Sequence, residues 1–268
     1  MNVISLKAIS YVNPDQFISS DEIENGLAAV YDKLKLPYGR IEMQTGIKTR
    51  GVFKNKKPSE ISSMAAKKLL NNTHIDKKKI GLLIHASVCR DFLEPSTASV
   101  VHDTLGLDPS CLSFDLSNAC LGVLSAIEVA RDMIASHSIE YALIVTGENS
   151  RPLLEQTIKE LNQNKDLTRK SIKKYFANFT IGSAGVALLL GKANDGLANI
   201  KHTACLSDTS AHKLCQGDGG LDSLVMETDS EELMQRGVAL AKENWVKFKE
   251  KTSTEFDHFV CHQVGIHH

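Results

Sequence analysis

Short apolar runs alternate along this chain with stretches in which apolar residues recur every three or four positions. The runs at residues 80–86, 112–116, 141–146, 185–190, 200–206 and 256–261 predict strands. Helical periodicity predicts helices over about 59–71, 120–136 and 230–250. Near-continuous apolar strands interleaved with amphipathic helices imply an α/β protein whose sheets are covered on both faces.

The stretch beginning Pro58-Ser59-Glu60 runs through a helix into Ile80-Gly81-Leu82-Leu83-Ile84-His85. The stretch beginning Asp229-Ser230-Glu231 runs through a helix into the apolar run that ends at His262. Ser-Glu starts are common helix caps, so the match reads either as coincidence or as an internal duplication. A duplication implies two related halves. After His85 the first half continues through the Cys120 strand, its helix and another strand, whereas six residues follow His262, so the second half reads as incomplete.

Composition narrows the class without choosing within it. The chain has 268 residues, 42% hydrophobic and 24% charged, enough to bury one large core or two medium ones. A net charge of -1 gives no global pull toward nucleic acid or an anionic membrane. No apolar run approaches the ~20 residues that span a bilayer, and Met1-Asn2-Val3-Ile4 lacks a signal peptide's basic flank, so the cytoplasm is the expected location. The six cysteines show no C-x-x-C pair and read as reduced thiols. His258 and His262 are spaced as metal ligands on a helix would be, but the run between them reads as a strand, so no metal site is expected.

Cys120 follows Ser117-Asn118-Ala119 at the junction of the 112–116 strand and the helix after it. A cysteine there is either a small buried hydrophobe or a nucleophile whose thiolate is favoured by the amides and dipole of the helix start. His262, at the end of the 256–261 run, is either a strand-end histidine satisfied by solvent or a partner in the same chemistry.

Four segments in order resemble the motif set of ketoacyl synthase III enzymes of the thiolase superfamily. They are Thr45-Gly46-Ile47-Lys48-Thr49-Arg50, Ser117-Asn118-Ala119-Cys120-Leu121-Gly122, Val145-Thr146-Gly147-Glu148 and His262-Gln263-Val264-Gly265. Within that family, the run from Val88-Cys89-Arg90 through Glu94-Pro95-Ser96 resembles the OleA-type acyl-CoA condensing branch, as do Thr180-Ile181-Gly182-Ser183 and Leu214-Cys215-Gln216-Gly217-Asp218. The resemblance implies a thiolase fold of two layered halves, 1–171 with the nucleophilic cysteine and 172–268 with the histidine, usually as a homodimer.

The chemistry the resemblance implies is acyl transfer. Cys120 would attack an acyl thioester and hold the acyl group, with amides at the helix start stabilising the oxyanion. His262 would polarise the thioester carbonyl of a second acyl group. Glu94 would reach a partner subunit's acyl site as the base, its pKa raised by desolvation; as an isolated Glu-Pro it equally reads as a solvated loop acid. Acyl-CoA or acyl carrier protein thioesters are the expected partners, and no cofactor is implied. Two alternatives stay open: condensation of acyl-CoA with malonyl carrier protein, and a noncatalytic acyl-binding relic. The family's third catalytic residue, an asparagine beyond the His-Gln-x-Gly segment, has no counterpart before His268. Arg50 suits either a phosphate contact or a structural ion pair, Gly147-Glu148 a turn near the site, and the basic stretch 159–174 a solvated helix and loop or a coenzyme contact.

Overall fold

A computed structural model describes residues 3–193, 196–217 and 225–262. The chain divides into two compact units. The first comprises Met1–Asp15, Val52–Asn149 and Ser183–Thr203; the second comprises Gln16–Gly51, Ser150–Gly182 and Ala204–His268.

The first unit is built on one mixed sheet. Its strands are β1 (Ile4–Val12), β2 (Ile80–His85), β3 (Leu112–Asp115), β4 (Tyr141–Glu148), β5 (Ala184–Lys192) and β6 (Ala198–Ile200), in the order β3-β2-β4-β5-β1-β6. The β3, β2 and β4 strands are parallel; the remaining neighbours are antiparallel. Side chains of β4 divide by parity, as the pleat requires. Leu143 and Val145 pack with Ala65, Ala66 and Leu69 of helix α1 (Pro58–Asn71) and with Val101 and Leu105 of α2 (Thr97–Leu105). Ala142 and Ile144 pack with Ala126, Ala130 and Ile134 of α3 (Gly122–Ala135). Burying each Val, Leu or Ile in these layers contributes about 1.5–3 kcal/mol.

Gly147, near the end of β4, is required by the approach of α1. A Cβ there would meet the carbonyl oxygen of Pro58 and come within 2.6 Å of Ser62 Oγ. The Gly147-Glu148 pair therefore ends a strand rather than making a turn.

In the second unit, Ile23, Leu27, Tyr31 and Ile41 from the N-terminal helices share a core with Leu154 and Leu161 of the helix Arg151–Gln163 and with Ile172 and Phe179. Arg50, almost fully buried, donates to Ile18 O at 3.3 Å and Ser20 Oγ at 2.7 Å. These bonds make it a structural residue.

Two predicted strands do not form as drawn. The 200–206 strand ends at Ile200, because its pairing with β1 runs out where β1 begins at Ile4. The 256–261 run is irregular: Phe256 and Phe259 pack their rings on Trp245 of the helix Ser230–Lys251, at centroid distances of 5.7 and 5.4 Å. No helix among the described residues is long and apolar enough to cross a membrane.

Candidate active site

The three parallel strands end together, and two loops leave their C-terminal edge, where α/β sheets commonly hold ligands. After β3 the ladder continues for one residue, with Leu116 N donating to His85 O at 2.9 Å. Ala119 then takes a positive φ of 45°, uncommon for a residue with a Cβ. The turn closes with Leu121 N on Asn118 O at 2.9 Å and Gly122 N on Ala119 O at 3.3 Å, and Asn118 Nδ2 donates to Ser125 Oγ at 2.9 Å. Cys120 lies between the strained residue and the first residue of α3, and it is exposed. Exposure removes the reading of Cys120 as a buried hydrophobe.

The loop after β2 carries Glu94 and is held by three carboxylates. Glu148 accepts from the amides of Val88 at 2.8 Å and Cys89 at 3.1 Å. Asp91 accepts from Ser59 N at 2.8 Å and Ser59 Oγ at 2.5 Å, at the start of α1. Asp115, the last residue of β3, accepts from the amides of Thr97 and Ala98 at 2.8 and 2.7 Å, so it caps α2 from outside. Phe92, Leu93, Glu94 and Pro95 form the exposed tip.

Burial, reinforced by Glu148, pushes the Cys89 thiol far above its ordinary range. Cys111 is likewise raised to about 11, by burial and then by Asp108. Both are held as thiols, which makes them poor nucleophiles. His85 is fully buried, and burial draws its pKa below the usual histidine value despite the neighbouring Asp115.

His262 belongs to the second unit, where it is exposed and lies in irregular chain; Gln263, Val264 and Gly265 of its motif, and Asp218 of the 214–218 segment, lie outside the described residues. The structure thus places Cys120 and Glu94 on loops from adjacent strands of one unit, and His262 in the other. The second unit also contains a cavity of about 250 Å³. Tyr31, Leu36, Phe176 and Phe179 give it apolar walls, and Arg40 and Lys173 add cationic groups. Lys173 lies in the basic stretch read from the sequence. The carboxylate clamp was not read from the sequence. Its one local signal was a polar residue ending each parallel strand: His85, Asp115 and Glu148.

Residues 41–198 match the thiolase N-terminal domain family. An acyl-CoA:acyl-CoA alkyltransferase of Xanthomonas campestris pv. campestris is 32% identical over 99% of this chain and 79% of its own length. The alkyltransferase of the same name from Shewanella oneidensis is 33% identical over 98% and 78%. A β-ketoacyl-[acyl-carrier-protein] synthase III of Acholeplasma laidlawii is 34% identical but over only 43% of this chain. Among solved structures, Xanthomonas campestris OleA superposes with a TM-score of 0.90 at 30% identity, covering 99% of this chain and 78% of that one. A form of the same enzyme with bound lauric acid and lauroyl-CoA superposes with a TM-score of 0.85 at 31% identity, over 93% and 73%. With the strand-to-helix cysteine turn and the mixed sheet already described, these matches place the chain in the thiolase superfamily, in the family of the acyl-CoA:acyl-CoA alkyltransferases.

Proposed function

We propose that the chain is an acyltransferase that condenses two fatty acyl-CoAs. The observation that carries the reading is the exposed Cys120 on a turn strained at Ala119, at the mouth of a helix. The thiolate attacks the carbonyl of the first acyl-CoA and expels coenzyme A, leaving an acyl-enzyme. Glu94 removes a proton from the α-carbon of the second acyl-CoA, and His262 hydrogen-bonds its thioester carbonyl as the enolate forms. The α-carbon attacks the acyl-enzyme carbonyl, Cys120 leaves as thiolate, and a β-ketoacyl-CoA is released. No metal or redox chemistry enters this scheme.

The fatty acyl-CoA reading is preferred to condensation with malonyl carrier protein because the alkyltransferases match across nearly the whole chain, the synthase III relatives across 40–56% of it. We assign the nucleophile to an N-terminal half, 1–171, and the histidine to a C-terminal half, 172–268. We assign the cavity of the second unit to the coenzyme, whose phosphates suit Arg40 and Lys173 and whose pantetheine arm suits the apolar walls. A homodimer is supported by β3, an edge strand with Leu112 half exposed, and by Leu121 and Leu124 exposed beside the nucleophile. A coenzyme A thioester substrate is in keeping with the cytoplasm.

Intact-protein mass spectrometry after incubation with a fatty acyl-CoA tests the proposal. An acyl adduct is expected on the chain and absent from Cys120→Ala. Well-folded protein without an adduct at any chain length would leave a noncatalytic acyl-binding protein in its place.

A further inference from the structure

The scheme above gives Glu148 no part, yet its carboxylate takes two successive amides, those of Val88 and Cys89, at the base of the loop that carries Glu94. The other two carboxylates complete the frame. Asp91 ties the middle of the loop to Ser59, its own amide donates to Thr97 Oγ1 at 3.2 Å, and Asp115 holds the far end. The tip at 92–95 is exposed, its Phe92 ring 4.8 Å from Lys57 Nζ, so its aim is set chiefly by how its base is held. The Cys120 turn is held differently, by Leu116 on His85 and by Asn118 on Ser125.

We infer that Glu148 is a positioning residue for the second half-reaction, fixing the loop that presents Glu94 while leaving Cys120 acylation to a separate support. The inference rests on the reading of Glu94 as the base. Glu94 lies five residues beyond Cys89 on a loop that bends at Asp91 and again at 93–95, held at its base by Glu148 and at its middle by Asp91. Loss of the Glu148 anchor leaves the Asp91 and Asp115 anchors to set the loop, and the Glu94 carboxylate shifts with it. A displacement of about 1 Å at a reacting group can cost about 100-fold in rate. Replacing Glu148 by glutamine keeps the size but turns one of the two acceptors into a donor facing an N–H.

The test separates the half-reactions in the full chain. Acylation is read as adduct formation on Cys120; condensation is read as β-keto product and as solvent deuterium entering the α-carbon of the second acyl-CoA. For Glu148→Gln, condensation and exchange are expected to fall about 10- to 100-fold, with acylation within about twofold. On a Glu94→Gln background the same substitution is expected to cost nothing more, since the group it aims is gone. Equal losses in both half-reactions, or an additive loss on that background, would overturn the inference and leave Glu148 a general structural residue. If Glu94→Gln alone leaves condensation and exchange intact, the reading of Glu94 falls and takes this inference with it. If Glu94→Gln abolishes them and Glu148→Gln does not, only the positioning role falls. A chain that acylates but neither condenses nor exchanges counts against both. Should Glu148→Gln fail to fold, Asp91→Asn loosens the middle of the same loop and is held to the same pattern of outcomes.

Discussion

The imidazole of His85 is fully buried with its Nδ1 3.7 Å from Asp115 Oδ1, too far for a hydrogen bond, and neither ring nitrogen has a partner among the described residues. The groups acting on the ring are Asp115, Glu148 and Asp91, which favour its protonation, and Arg90, which opposes it; burial outweighs the carboxylates and holds the pKa below the usual value. Asp115 meanwhile spends both oxygens on the α2 amides.

The pH dependence follows from that direction. A histidine whose folded pKa lies below its unfolded value of about 6.5 binds fewer protons folded than unfolded in the interval between the two. Its contribution to stability is complete above about pH 6.5 and is lost as the pH falls from there through the folded pKa. The melting temperature of the chain is expected to drop between pH 7.5 and 5.5 more steeply than that of His85→Gln. Parallel slopes for the two proteins would assign the acid sensitivity elsewhere.

Gly147→Ala places a methyl group against Pro58 O and Ser62 Oγ, where the start of α1 meets β4. Overpacking of this kind costs about 1–3 kcal/mol, and urea titration is expected to show a lower midpoint with an unchanged slope. Gly182→Ala is the control: its Cβ would come no closer than 3.8 Å to any neighbour. A loss within about 0.5 kcal/mol is expected there.

What the sequence disclosed, and what it hid, divides by range. The β2 and β4 strands were legible because both faces are buried, which makes them nearly unbroken apolar runs. The β1 strand was not, because Ser5, Lys7 and Ser10 interrupt it. Two of these polar residues are buried and bonded, Ser5 to Asn199 and Ser10 to Ala65 O, so polarity there marks a hydrogen bond rather than exposure. The place of Cys120 on a strand-to-helix turn was readable because strand, turn and helix are consecutive. The support of Glu94 was not, since Glu148 reaches it from 60 residues away along the chain. The run ending at His262 read as a strand from its apolar content, but its phenylalanines gather on Trp245 instead.

If the cavity of the second unit receives the coenzyme, reversing its charge will act on binding before chemistry. Lys173→Glu and Arg40→Glu are each expected to raise the KM for acyl-CoA about five- to tenfold, equivalent to about 1–1.4 kcal/mol of binding. Alkylation of Cys120 by iodoacetamide, which needs no coenzyme site, is expected to keep its rate. An unchanged KM in both variants would remove the cavity from the substrate path.

The edge strand gives the last prediction. Among the described residues β3 is an edge strand of the sheet, and Leu112 on it is 51% exposed. Such an edge either is defended by charge or pairs with another chain. Leu112-Ser113-Phe114-Asp115 carries one charge, that of Asp115, which is taken up by the α2 amides, and Leu121, just before α3, and Leu124 within it are 52% and 62% exposed. A stable dimer needs about 1,200–2,000 Å² of buried surface in total, more than one short strand supplies, so the leucines after Cys120 must contribute. Sedimentation of the chain is expected to give a dimer, and Leu112→Lys or Leu124→Asp to shift it toward monomer with the fold intact by circular dichroism. In the monomeric variants acylation of Cys120 should persist while condensation is lost, because Glu94 would have to come from the partner subunit. Condensation at full rate in a monomer would place the base within the same chain.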